Sequence, residues 1–143
     1  MSDANDVLGP IEFLVIGFPD GRITEGGFPE LERLAAGGTV RVLDVEFVRR
    51  SADGVQRVRA AELDAELDLS RWEGAASGLL DREDLDTLTG ELEEGAAAVM
   101  IVIENRWVLD LADRWQAQGG RLLADGGLHA DDVVAALDAS DDD

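Results

Sequence analysis

The chain has 143 residues and no cysteine, enough for one cored domain and incompatible with disulfides or thiolate chemistry. No apolar run approaches the roughly 20 residues that a bilayer-spanning helix needs. Thirty-two acidic residues oppose twelve basic ones, all arginine, for a formal charge of −20; such a field repels phosphate, so nucleic acid and anionic membrane surfaces are not expected partners. An Asp-rich surface without lysine fits either a GC-rich coding bias or adaptation to salt.

Residues 1–8 read as a flexible acidic arm without the basic-then-apolar order of a secretion signal, and cytoplasm is the expected location. Gly9-Pro10 punctuates the chain before residues 11–18, an almost wholly apolar strand expected in the middle of its sheet. A Gly-rich loop over residues 19–27 leads to a helix over 28–36. Pro29 suits the first turn, Leu31, Leu34 and Ala35 form a stripe, and Gly37-Gly38 stops the helix.

Residues 40–50 alternate as a strand, with Leu43, Val45 and Phe47 on one side and Asp44 and Glu46 on the other. Asp53-Gly54 signals a hairpin returning over residues 55–61, in a register that sets Glu46 opposite Arg59. An acidic connection over 62–69 precedes two short helices over 72–80 and 81–92. Asp81 begins the second, which carries Leu85, Leu88 and Leu92 on its buried side.

Residues 96–103 form a second apolar strand. Asn105 reads as N-cap of a helix over 107–118, whose Val108, Leu111, Ala112 and Trp115 share a face. Gly119-Gly120, a strand over 121–124 and a helix with core positions Val133, Val134 and Leu137 complete the order. Residues 139–143 read as an acidic tail.

The unit of strand, helix, Gly-Gly and strand therefore occurs twice. Two such units interleave into an α+β, ferredoxin-like βαβ-βαβ sandwich, with the two apolar strands central and helices on one face. The hairpin adds an edge strand, a short helical insertion occupies about residues 70–92, and a C-terminal helix follows, all within one domain over residues 9–138.

Several words of this sequence carry a resemblance: Leu8-Gly9-Pro10-Ile11-Glu12, Val40-Arg41-Val42-Leu43-Asp44, Ala52-Asp53-Gly54, Leu92-Glu93-Glu94-Gly95, Glu104-Asn105-Arg106-Trp107 and Gly119-Gly120. In this order, over about residues 8–138, they resemble the bacterial domain of unknown function 6325, and more distantly the domain of unknown function 1269. The resemblance implies a small ferredoxin-like domain and brings no catalytic residues. Relatives in the second group often carry a long membrane-like insert. Here only Glu73-Gly74-Ala75-Ala76-Ser77-Gly78-Leu79-Leu80 stands in that place, too short to span.

Chemistry-bearing residues are few. His129, the only imidazole, could join Asp131 and Asp132 around a divalent ion, but a capping or solvent-facing role is the commoner use of a lone histidine. Residues 17–27 lack both phosphate-loop spacings, and Asp20 and Glu25 outweigh Arg22 there. No serine has a nucleophile setting. Glu12, Asp44, Glu46 and Glu104 are the carboxylates that could pair as acid and base, with an arginine ion pair as the favoured role of Glu46.

Glu104-Asn105-Arg106-Trp107 hands a central strand to a helix, a common place for ligand groups. Neither a metal nor a cofactor is expected. The leading expectation is a non-enzymatic, cytoplasmic interaction or accessory module. It would form a homo-oligomer, a dimer through a sheet face or edge, and could also meet an unidentified protein partner. The alternative is a small-molecule-binding or enzymatic domain with a pocket formed by Asn105, Arg106 and Trp107.

Overall fold

A computed structural model of the chain describes residues 8–23, 26–59, 78–128 and 130–141. The expected arm up to residue 7, the acidic connection, the first insertion helix up to residue 77, His129 and the last two residues lie outside them. The chain divides into two compact units, Met1–Asp110 and Leu111–Asp143.

The first unit is built on a four-stranded antiparallel sheet of β1 (Ile11–Phe18), β2 (Val40–Ser51), β3 (Gly54–Arg57) and β4 (Ala97–Asn105). The strand order is β1-β4-β2-β3. The two apolar strands are neighbours, as their composition demands, with Ile11 opposite Glu104 and Phe18 opposite Ala97. Only β4 is central. β1 lies at the border, a correction to the expectation that both would be flanked.

The physical reason is the missing outer neighbour. Residues 121–124 have no strand assignment, so among the described residues nothing pairs with the far side of β1. Its apolar character is therefore visible to solvent: Ile11, Phe13, Leu14 and Ile16 are 51%, 54%, 44% and 47% exposed. These side chains alternate between the two faces of the strand. An apolar run marks a strand that ends up covered, but it does not say by what.

Side-chain alternation along β4 feeds a core on each face. On one, Ala97, Val99 and Ile101 meet Val45, Phe47, Ile23 and Phe28. Phe28 opens α1 (Phe28–Ala36), has Pro29 behind it in the first turn, and tilts its ring against Phe47 with centroids 6.2 Å apart. On the other, Ala98 and Met100 meet Val48, Val55 and Leu85. Leu85 belongs to α2 (Arg82–Leu88), so helices lie on both faces and not on one.

α2 is started by a reciprocal cap: Asp81 Oδ1 accepts the Asp84 N–H at 2.8 Å and Asp84 Oδ2 accepts the Asp81 N–H at 3.1 Å. It stops at Leu88, short of the expected end, where Thr89 leaves helical backbone angles (φ −108°, ψ 21°) and Gly90, a poor helix former, follows. Asp81→Ala removes the cap at the start of a seven-residue helix. The variant should unfold about 1 kcal/mol more easily, measured by urea titration.

The hairpin has the expected register, with Ser51 opposite Gly54 and Val48 opposite Arg57. Strand pairing ends at Arg57, before the expected residue 61. In β2 a bulge at Leu43 separates Val42, opposite Ile103, from Asp44, opposite Val102. The extra residue shifts the alternation and brings Asp44 and Glu46 to the face that carries Met100.

α3 (Arg106–Gln116) crosses from the first unit into the second, which ends with α4 (Ala130–Asp141). Val133, Val134 and Leu137, expected as core, are 38%, 54% and 60% exposed.

Candidate functional site

Three of the words that carry the sequence resemblance, those at residues 8–12, 40–44 and 104–107, meet at one end of the sheet. Gly9 donates its N–H to Glu104 Oε2 at 2.8 Å, a bond between residues 95 apart in the chain. Asn105 donates its backbone N–H to the Pro10 carbonyl at 2.8 Å, and its side-chain Nδ2 reaches the same carbonyl at 3.2 Å and Glu12 Oε1 at 2.5 Å. The Trp107 indole N–H donates to Asn105 Oδ1 at 3.3 Å, while the Trp107 backbone N–H donates to the Thr39 carbonyl at 3.1 Å. The start of β1, the start of β2 and the end of β4 are thereby tied together.

Glu104 is the centre of this clamp and is fully buried. Its Oε1 faces Arg41 Nε at 3.1 Å and Arg106 Nη1 at 3.5 Å. Both arginines keep about half of their surface in water. One buried carboxylate with a backbone amide on one oxygen and two guanidinium groups beside the other is a paired charge, the arrangement that burial requires. Gly9 must be glycine here, since a Cβ at that position would stand 2.3 Å from the Asn105 carbonyl oxygen.

Of the three residues expected to recognise a ligand, Asn105 is committed to the strand ends. Its side chain does not cap α3 as the spacing suggested: both ends of the amide are occupied by Pro10, Glu12 and Trp107. Arg106 and Trp107 stand beside it and remain about half exposed. The three are therefore neighbours, joined by internal bonds. A groove of about 470 Å³ lies at the opposite end of β4 from Asn105, between β1 and the segment after α2. Val15, Gly17, Phe18, Leu88, Leu92 and Ala96 give it an apolar lining, with Glu91 and Glu93 at its border.

A second carboxylate pair sits on β2. Asp44 and Glu46 are 0% and 4% exposed and stand on the same face of the strand, close enough for the charge of one to act on the other. Arg57 grips Glu46 with two bonds, Nε to Oε1 at 2.8 Å and Nη2 to Oε2 at 3.2 Å, and also bonds the Leu80 carbonyl. The expected partner, Arg59, lies directly across in register but beyond the last paired residue. Arg57, the diagonal neighbour, takes the bond because a long side chain spans that offset.

Burial pushes the Glu46 carboxyl above its ordinary value, the Arg57 bonds pull it back, and the charge on Asp44 raises it again. With a raised value in the fold, the native state holds more protons than the unfolded one between the ordinary carboxyl range and that raised value. Stability therefore falls as pH rises through this window and is regained on acidification. Glu46→Gln should be more stable than the parent at pH 7. The difference should close as pH falls through the window, in melting curves recorded as a function of pH.

A carboxyl with a raised pKa beside a second one has the makings of an acid and base. Here both are buried and bonded, away from the groove, so the arrangement secures β2 against β3. Among the described residues no group of three or more His, Asp or Glu side chains could hold a metal ion, and no helix is long and apolar enough to cross a membrane. His129 is outside those residues. The loop after β1, read against a phosphate site, is a packed turn: Gly21 has φ +79° and sits against the Gly95 carbonyl.

These features define an α+β protein with one antiparallel sheet, whose buried charges hold its own strand ends together. The chain belongs to the family of unknown function DUF6325, whose model matches residues 7–141. No curated protein and no solved structure gives a significant match.

Proposed function

We propose that the chain is a non-enzymatic interaction module that works as a homo-oligomer, a dimer in its simplest form. The observation that carries this reading is the exposure of β1, a strand with four large apolar side chains in water beside an almost wholly buried neighbour. An exposed apolar edge strand of this kind is a template for pairing with another chain. The commitment of Asn105, Glu104 and Glu46 to internal bonds supports the non-enzymatic half of the proposal.

The ferredoxin-like fold is part of the same reading. β1 and β2, joined through α1, both run antiparallel to β4 between them, which is the order of a split βαβ unit. The absence of cysteine and the acidic surface fit a cytoplasmic setting.

Light scattering on the full chain tests the proposal. A mass of twice 15.3 kDa or a higher multiple at tens of micromolar is the expected result, and a strict monomer overturns it. A thermal-shift screen with a metabolite panel tests the other half. A compound that stabilises the protein, and fails to stabilise Arg106→Ala, would make this a ligand-binding domain instead.

A further inference from the structure

We infer that the surface of self-association is the outer edge of β1, paired antiparallel with β1 of a second copy. The inference rests on the self-association reading and adds to it a place and a register. An edge strand offers unpaired N–H and C=O groups along its length, and two such edges satisfy each other. β1 is bounded by Pro10 and Pro19, which cannot donate to a ladder, so the pairing is confined to the eight residues between them.

The composition of the edge fits a second copy as the occupant. Two molecules that each carry −20 meet with least repulsion along a stretch nearly free of ionised groups. β1 has one, Glu12, and its carboxylate is already held by Asn105 of its own chain. A two-fold axis through a continuous sheet keeps each face on the same side, so even-numbered residues must face even-numbered ones. With Leu14 on the axis, Leu14 meets Leu14 of the second copy, Glu12 meets Ile16, Phe13 meets Val15 and Ile11 meets Gly17. With Val15 on the axis, Glu12 meets Phe18 and Phe13 meets Gly17. Neither register sets Glu12 against its own copy, and both place the bulk of Phe13 beside a smaller side chain.

Such a dimer is closed. The other border of the sheet is β3, four residues long, which blunts further growth. Eight residues a side is small against the roughly 20 to 30 of a standard interface, so the dimer should dissociate on dilution.

The absence of cysteine makes the test clean. Leu14→Cys and Val15→Cys each give a chain with one thiol, on the axis of one of the two registers. Under mild oxidation one of them should form a disulfide-linked dimer in high yield. Leu14→Arg puts two like charges on or next to the axis. It should raise the dimer dissociation constant at least tenfold, with an unchanged circular dichroism spectrum. If both thiols stay monomeric while light scattering of the parent still gives a dimer, the edge inference falls and the self-association reading stands. If the parent is monomeric, both fall. A dimer that survives Leu14→Arg unweakened also overturns the edge.

Discussion

Gly9→Ala is expected to destabilise the protein by about 3 kcal/mol, the upper end for overpacking, and to lower its melting temperature by on the order of 10 °C. The added methyl would sit 2.3 Å from the Asn105 carbonyl oxygen. That oxygen belongs to the backbone of the central strand and cannot turn aside as a flexible side chain would. Relief requires β1 and β4 to separate at their joined end, which takes the Gly9 amide away from Glu104 and the Pro10 carbonyl away from Asn105. Gly126→Ala, where a methyl meets nothing within 4 Å, is the control and should leave the melt within about 0.5 kcal/mol of the parent. Differential scanning calorimetry of the two variants checks the contrast.

Substitution of Glu104 should cost nearly as much. Glu104→Ala leaves the Gly9 amide without its acceptor inside the protein and empties a fully buried site. The combined loss is about 2–4 kcal/mol by denaturant titration. Glu104→Gln is a finer probe. Its amide has one oxygen, and if that oxygen keeps the Gly9 N–H, the NH2 group points at Arg41 and Arg106, where only an acceptor fits. A loss of about 2 kcal/mol is expected in spite of the matched shape. Because Glu104 and Gly9 touch, the Gly9→Ala and Glu104→Gln losses should sum to more than the double variant shows.

Both effects come from a part of the molecule that was half legible in the sequence. Leu8-Gly9-Pro10-Ile11-Glu12 and Glu104-Asn105-Arg106-Trp107 stand out as words, but nothing local says that they bond to each other across 95 residues. Asn105 before a helix looks like a cap because capping is the commonest local use of asparagine. Tertiary neighbours outbid that role. The burial of Glu104 was hidden for a related reason: one carboxylate after an apolar run reads as the end of a strand until its arginines are placed.

The elements themselves follow periodicity closely. Strand β1 and helix α1 begin and end where their apolar patterns do, and the hairpin register follows from its two-residue turn. Two departures have simple causes. The bulge at Leu43 leaves one trace, the adjacent apolar pair Val42-Leu43 at which the alternation changes phase, and the pattern from Leu43 onward does not show it. The border position of β1 was masked by the same apolar content that argued for its burial, since a flanking strand and a second molecule demand identical residues.

Hydrogen exchange of the β1 amides, measured by mass spectrometry on the intact protein across a hundredfold range of concentration, addresses that ambiguity most directly. Amides that point away from β4 should exchange quickly in dilute samples and become protected as copies join, while those bonded to β4 stay protected throughout. An outer edge that exchanges at one fast rate at every concentration would contradict this description of how the protein meets its partner.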